Sequence, residues 1–449
     1  MASSRKLILA DRLSGDLIVA RLAPFCTDTS PPARICVGLS GGLDSVVLLH
    51  LLAAARSTLP FELTAIHVHH GLSAHADDWA AFAHDYAASL GVACVVERVT
   101  LAQRRTHGIE AAARHARYAA FAAARVDVMV TAHHQGDQVE TVLLNLLRGS
   151  GLPGLAAMPV SRPLGDCTTL LRPLLDVPRA ALLAYAQAHE LRWVEDESNQ
   201  QTDFDRNFLR HKVIPVAQEA FPSLAQSITR SARHIAEAQA LLDELAQGDL
   251  AHCVVEGAFV LNGPLTPLRL RHALRHWLAG QGLVLDTRAF DELWRTATQA
   301  AGDSQPALIW RKQAVRRYRD RLYVTRADVQ SGPIQALNWL DGAPTTTSAW
   351  CGQLTWQSVE KGGIATRHLA AGFELAPWQG ARTIRLRADG PAQQLKTLAQ
   401  TLGIAPWVRS TTPLLVAGDQ LLAWPGVGVA AAFQSAESEA GWLPVWQAD

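Results

Sequence analysis

Short apolar runs rich in β-branched residues recur through the first third of the chain, at Ile35–Leu39, Leu63–Val68, Cys94–Val99 and Val126–Thr131, with alanine-rich helical stretches between them. Strand-length runs alternating with helical periodicity predict βαβ units and a parallel sheet, which binds ligands beyond the carboxyl ends of its strands. Beyond Pro222 the pattern changes, and Ser227–Leu245 and Leu268–Ala300 read as long amphipathic helices of a separate helical domain. Glycines, threonines and short alternating runs fill Val329–Leu369, and a final block begins at Gly372. The expected fold class is α/β. An N-terminal parallel-sheet domain spans 1–220, a mainly helical domain 221–328, a linker or small β segment 329–371, and a small α+β C-terminal domain 372–449.

The first strand runs into Ser40-Gly41-Gly42-Leu43-Asp44-Ser45, and Val46-Val47-Leu48-Leu49 reads as a helix behind it. Two glycines let backbone N–H groups approach an anion closely, and the helix start adds unpaired N–H donors and a positive dipole end. Hydroxyls of Ser40 and Ser45 extend the donor set. The loop lacks the lysine of a Walker A motif and the third glycine of a dinucleotide fingerprint. Asp44 reads either as a helix cap or as a ligand beside the phosphates.

Ser-Gly-Gly-x-Asp-Ser after a hydrophobic strand resembles the pyrophosphate loop of the N-type ATP pyrophosphatases, the PP-loop superfamily with the adenine nucleotide alpha-hydrolase fold. The resemblance implies cleavage of ATP between its α and β phosphates, an adenylated substrate, and Mg²⁺ held near the leaving group by Asp44. His67-Val68-His69-His70-Gly71 leaves the second strand and is similar to the family's His-Val-Asn-His-Gly, which implies that Ile66 and His67 line the adenine pocket. Glu110, Arg114, Arg117 and Tyr118 fall on neighbouring faces of a helical stretch. An ordinary Glu–Arg surface pair explains them too, whereas the family's Glu-xxx-Arg-xx-Arg-Tyr implies that Arg114 faces phosphate or the activated carbonyl.

At the end of the fourth strand stands Thr131-Ala132-His133-His134-Gln135-Gly136-Asp137-Gln138-Val139-Glu140-Thr141, leading into an apolar helix. Asp137, Glu140 and Thr141 share one face of its first turn. Acidic residues favour helix N-termini in any case, yet two carboxylates beside an ATP site can also hold Mg²⁺ or an ammonium group. With Arg148-Gly149-Ser150-Gly151 after it, then Arg172-Pro173-Leu174-Leu175, then Glu195 to Asn199, Asp203 and Arg206-Asn207-Phe208-Leu209-Arg210, this block resembles the tRNA(Ile)-lysidine synthetases. Arg206 and Arg210 lie one turn apart and suit ATP phosphate, an RNA backbone, or salt bridges to Asp203 and Asp205. A basic cluster at Arg311, Lys312, Arg316, Arg317, Arg319 and Arg321 reads as a solvated face or a tRNA contact. The C-terminal Ile404-Ala405-Pro406-Trp407-Val408-Arg409 is similar to the family's Ile-Pro-Pro-Trp-x-Arg, with Ala405 in place of the first proline, Trp407 a core anchor and Arg409 an expected RNA contact.

Lysines and arginines number 41, as do aspartates and glutamates, so the net charge is zero and any nucleic-acid surface must be a local patch. Six scattered cysteines suggest neither a zinc nor an iron–sulfur site. No apolar run reaches the ~18 residues of a membrane span, and a cytoplasmic enzyme fits.

The resemblance implies a ligase that joins L-lysine to C2 of the wobble cytidine in the CAU anticodon of tRNA(Ile), with ATP and Mg²⁺. The product, lysidine, changes codon reading from AUG to AUA and aminoacylation from methionine to isoleucine. Expected catalytic groups are Asp44, Arg114, Asp137 and Glu140. His133, Thr141 and Arg206 join Asp137 and Glu140 around lysine, and Arg210, Arg316, Arg317 and Arg409 are expected on tRNA. Family analogy also allows a homodimer. A tRNA 2-thiolation enzyme would use the same ATP chemistry but usually needs paired cysteines. An asparagine synthetase-like enzyme needs a cysteine where Ala2 stands. A tRNA-binding relative without catalysis is the third alternative.

Overall fold

The computed structural model describes residues 13, 15–26, 31–99, 109–195, 205–299, 306–328, 331–339, 343, 345–436 and 439–448. Ala2, Asp196, Glu197, Ser198, Asn199, Asp203, Ala300 and Val329, named above, lie outside the described residues. Two compact units divide the chain, Met1–Leu242 and Asp243–Asp449.

In the first unit, strands β1 (Ala33–Gly38), β2 (Phe61–His69), β3 (Ala93–Arg98), β4 (Val128–Val130), β5 (Ser161–Leu164) and β6 (Thr168–Leu171) form one sheet. Their spatial order is β3-β2-β1-β4-β6-β5. All neighbours pair in parallel except β5 with β6. Helices α1 (Gly15–Cys26), α2 (Leu43–Ala55), α3 (Ala76–Ser89), α4 (Ile109–Ala123), α5 (Gln135–Leu147) and α6 (Arg179–Ala188) accompany it. The expected parallel α/β fold is therefore present. β1 is buried at Ile35, Cys36 and Val37, as a strand covered on both faces must be. Ile35, Val37, Val46, Leu49 and Leu182 belong to the core on one face, and Cys36, Met129, Leu170 and Phe121 to the core on the other. Since β1 lies between β2 and β4 at the centre of the sheet, the loop after it opens at the carboxyl edge, flanked by the ends of those two strands.

The 30-residue helix α7 (Leu224–Cys253) precedes α8 (Pro267–Gly280) and α9 (Thr287–Gln299). Asp249, buried on α7, pairs with Arg269 on α8. The expected helical segment also contains a five-stranded sheet, β7 (Val254–Val255), β8 (Ala258–Val260), β9 (Ala307–Trp310), β10 (Gln313–Tyr318) and β11 (Arg321–Arg326), ordered β7-β8-β11-β10-β9. The 329–371 stretch is built into the C-terminal sheets. Gln335–Leu337 pairs with Phe373–Ala376, and Gly352–Val359 pairs along its length with Gly441–Ala448. Trp339, Trp350, Trp356, Trp442 and Trp446 pack in and around the core between them. Among the described residues, no helix is long and apolar enough to cross a membrane.

Candidate functional site

The loop after β1 is shaped by hydrogen bonds among its own hydroxyls. Ser45 Oγ donates to the Gly42 carbonyl at 3.0 Å and lies 3.0 Å from Ser40 Oγ, while the Gly42 N–H points to Ser40 Oγ at 3.3 Å. Gly41 has φ +87°, and a Cβ there would stand 3.0 Å from Val194 Cγ2, so the position calls for glycine twice over. The Val194 N–H donates to the Gly41 carbonyl at 2.9 Å, which ties the loop to the segment after α6. Leu43 is the first residue of α2 and is buried.

Asp44, in the first turn of α2, carries an unsatisfied oxygen at this edge. Its Oδ1 is buried without a hydrogen-bond partner, the Arg179 Nε being 4.0 Å away. Burial pushes its carboxyl up, against the pull of His134, Arg179 and Arg210. An orphaned anionic oxygen beside a phosphate-type loop suits a hard cation such as Mg²⁺, which takes one or two carboxylates and completes its shell with phosphate oxygens and water.

Across from it, His134 caps α5. The Gly136 N–H donates to His134 Nδ1 at 2.9 Å, and the His134 N–H donates to Asp137 Oδ2 at 2.9 Å, a reciprocal capping box. A Cβ on Gly136 would come within 2.7 Å of the His134 ring, so the cap depends on glycine. With Nδ1 accepting, the neutral ring carries its proton on Nε2, which lies 3.7 Å from both Asp44 Oδ2 and Asp137 Oδ2. His134 thus joins the two aspartates. It was absent from the expected site residues, although a polar residue directly before a helix-starting Gln-Gly-Asp is a signal for a cap.

Asp137, Glu140 and Thr141 do share a face, but each has a different environment. Burial would raise the Asp137 carboxyl, yet His134, His133, the His134 N–H and Arg210 together hold it below its usual range. Glu140 is 2% exposed and takes both of its hydrogen bonds from Arg210, at 2.6 and 2.9 Å. Thr141 Oγ1 donates to the Asp137 carbonyl at 2.7 Å and accepts from Arg206 Nη2 at 2.9 Å. Arg210, expected on tRNA, is instead committed to Glu140. It stands on a π-helical turn, Leu209–Val213, in which the Ile214 N–H reaches back to the Leu209 carbonyl. Pro215 follows and has no N–H to continue an α-helical ladder. Asp205 pairs with Arg148 at 2.6 Å rather than with Arg206.

His67 is buried and donates from Nδ1 to the Leu39 carbonyl at 2.9 Å. Ile66 is a core residue whose carbonyl accepts from the Leu39 N–H, so strand and loop are joined by two bonds. His133 Nδ1 lies 2.9 Å from Thr131 Oγ1. Burial is the main cause that pushes His133 down to about 4, and burial with Arg117 does the same to His70. Both rings are neutral at pH 7. The unfolded chain takes up these protons near 6.5 and the folded chain only near 4. Stability is therefore full above pH 6.5 and declines as pH falls through this window. Thermal melts between pH 7 and 4 should show a falling Tm, with a shallower decline for His70→Asn; an equal slope in the variant would count against this assignment.

Arg114 is exposed, with its guanidinium carbon 5.0 Å from the Tyr118 ring centroid. Arg316 and Arg317, on β10, are half-buried. Arg316 Nε donates to Thr325 Oγ1 at 3.0 Å, and Arg317 Nε to the Arg319 carbonyl at 2.8 Å. Arg409, expected on RNA, is 8% exposed and donates to the Ile404 carbonyl at 2.7 Å. Its neighbour Trp407 packs edge-on against Tyr318 and Tyr323, at 6.2 and 5.5 Å between centroids, and Arg319 Nη2 donates to the Gln400 carbonyl at 2.7 Å. This corner therefore fastens the β10–β11 hairpin to the C-terminal helices. Trp407→Ala should destabilise the Asp243–Asp449 unit by about 2 kcal/mol, below the range for a fully buried tryptophan, as read by denaturant unfolding. A change under 0.5 kcal/mol would remove Trp407 from the seam.

The PP-loop domain family matches residues 17–217, the TilS substrate binding domain 263–323, and the TilS substrate C-terminal domain 373–446. Over 98% of both chains, the sequence is 40% identical to the tRNA(Ile)-lysidine synthase of Ralstonia nicotianae. It is 41% identical to that of Shigella flexneri over 92% of this chain and 96% of the relative, and 36% identical to that of Nitrosomonas europaea over 93% and 92%. With a glycine loop of the expected form at the sheet edge and near-full-length matches of this strength, the chain belongs to the tRNA(Ile)-lysidine synthase family of ATP-using ligases.

Proposed function

We propose that this protein joins L-lysine to C2 of the wobble cytidine in the CAU anticodon of tRNA(Ile), converting ATP to AMP and diphosphate. The observation that carries the reading is the meeting of the glycine loop with Asp44, His134 and Asp137 at one sheet edge. In the first step the cytidine C2 oxygen attacks the α phosphorus and the bond to diphosphate breaks. Backbone N–H groups of Gly41 and Gly42 with the Ser40 and Ser45 hydroxyls hold the departing diphosphate. Asp44, with Asp137 beside it, would hold Mg²⁺, which would supply charge neutralisation on phosphate.

In the second step the lysine ε-amine attacks C2, the C2–O bond breaks and AMP leaves. The amine must arrive as a cation and react neutral, so an anionic group has to hold it and accept a proton. Asp137 suits this better than Glu140, because both Glu140 oxygens are already occupied by Arg210. Glu140 and Arg210 then act as the rigid wall that fixes the α5 face, and Arg206 orients Thr141. Arg316 and Arg317 meet the tRNA backbone.

Diphosphate release should require tRNA(Ile) carrying CAU and vanish when the wobble cytidine is replaced by uridine. Release indifferent to that base would contradict adenylation of the cytidine. Equal release with no lysine transfer would favour a different nucleophile, such as sulfur.

A further inference from the structure

One charged cluster on the catalytic edge is not used by these steps. Arg172 follows β6 and is 2% exposed. Its Nη1 donates to the Pro159 carbonyl at 2.9 Å, and its guanidinium also hydrogen-bonds the Tyr118 phenol. The Nε is buried with no partner. Over the same phenol ring stand Arg114, at 5.0 Å, and Arg162, at 5.3 Å, with Arg114 Nη2 3.4 Å from the hydroxyl. Among the described residues, no carboxylate forms a salt bridge with any of the three. Burial and the two neighbouring guanidiniums push Arg172 down, and although burial raises the phenol, the surrounding arginines hold it below its usual range. A buried guanidinium beside two like charges is costly unless an anion joins it.

We propose that Arg114, Arg162 and Arg172, set around Tyr118, form a second oxyanion site that takes a phosphodiester of the RNA next to the target cytidine. The inference rests on the proposed function. Strand order separates this site from the nucleotide. The glycine loop leaves β1, whereas Arg172 leaves β6, two strands away, which at the usual spacing is about 10 Å. Ile66 and His67 lie in the second half of β2, on the other side of β1, so ATP lying from β2 across β1 leaves the β6 side for another ligand. A carboxylate is satisfied by one bidentate guanidinium; three that converge, two of them exposed, suit a phosphate on a larger ligand.

The test compares wild type with Arg162→Ala, an exposed position where folding is not at risk, and uses Arg172→Lys as a second variant. The RNA is the unmodified tRNA(Ile) and a version carrying neutral methylphosphonates on either side of the wobble nucleotide. We expect Arg162→Ala to weaken tRNA binding about tenfold and to lower the salt dependence by about one phosphate contact, with the KM for ATP and for lysine within about twofold. Methylphosphonate should weaken the wild type and leave Arg162→Ala little changed; Arg172→Lys should raise the Kd for tRNA without moving the KM for ATP. A raised KM for ATP or lysine at unchanged RNA affinity would overturn the assignment, as would an equal methylphosphonate effect in both proteins. Wild type that binds no tRNA(Ile) would instead overturn the function on which the inference rests.

Discussion

Asp44→Asn is expected to slow tRNA-dependent diphosphate release by about a thousandfold, the several kcal/mol that a metal-holding carboxylate supplies to a transferring phosphoryl group. The same change should leave stability equal or higher. Burial raises the Asp44 carboxyl, so at neutral pH the ionised group is a cost to the folded state. The sign follows from linkage: a carboxylate with a raised folded value loses stability as pH rises through its unfolded value, and the neutral amide avoids that loss. Retained side-chain size spares the loop. An Asn variant with normal diphosphate release removes Asp44 from the chemistry. One that is inactive only because it unfolds removes the argument that its charge is kept for function.

Arg210→Ala should lower stability by about 3 kcal/mol, at the bottom of the range for a broken buried pair. The lower end is expected because the Arg210 side chain is 37% exposed, while Glu140 beneath it is nearly inaccessible. In a unit of this size such a loss corresponds to a fall in Tm of about 10 °C. Glu140 would be left as a buried carboxylate without a donor, and the first turn of α5, which carries Asp137, would be disturbed with it. The paired change Glu140→Gln with Arg210→Met should recover most of the stability, since neither charge is then stranded. Lysine transfer should stay low in both proteins. A single variant as stable as wild type would show that the pair is solvated and does not hold the α5 face.

The loop and helix start at the sheet edge are legible in the sequence. Ser40 to Ser45 could be placed because a glycine pair between an apolar strand and an apolar helix has few other solutions, and the shared face of Asp137, Glu140 and Thr141 follows from helical spacing alone. What spacing does not give is the partner. Arg210 looked free for RNA because its partner, Glu140, lies 70 positions earlier and the π turn that aims it has no plain sequence signature. His134 stood beside His133 in an apparently uniform pair, yet one caps a helix and the other bonds Thr131.

Arg409 shows the same gap. Arginine near a tryptophan reads equally as an RNA contact or as a buried fastening, and its bonds to the Ile404 carbonyl and the Tyr318 hydroxyl come from partners that the local sequence does not reveal. The 329–371 stretch resisted placement because its strands are short and find partners at Phe373–Ala376 and Gly441–Ala448. Such pairings are too distant for local alternation to reveal.

The most direct test is incorporation of labelled lysine into unmodified tRNA(Ile) bearing CAU, with ATP and Mg²⁺, beside the same tRNA with uridine at the wobble position. Label that appears only with ATP, only in the cytidine-bearing tRNA and at its wobble nucleotide is the predicted result. ATP consumed and diphosphate released with no lysine on the RNA would contradict the account.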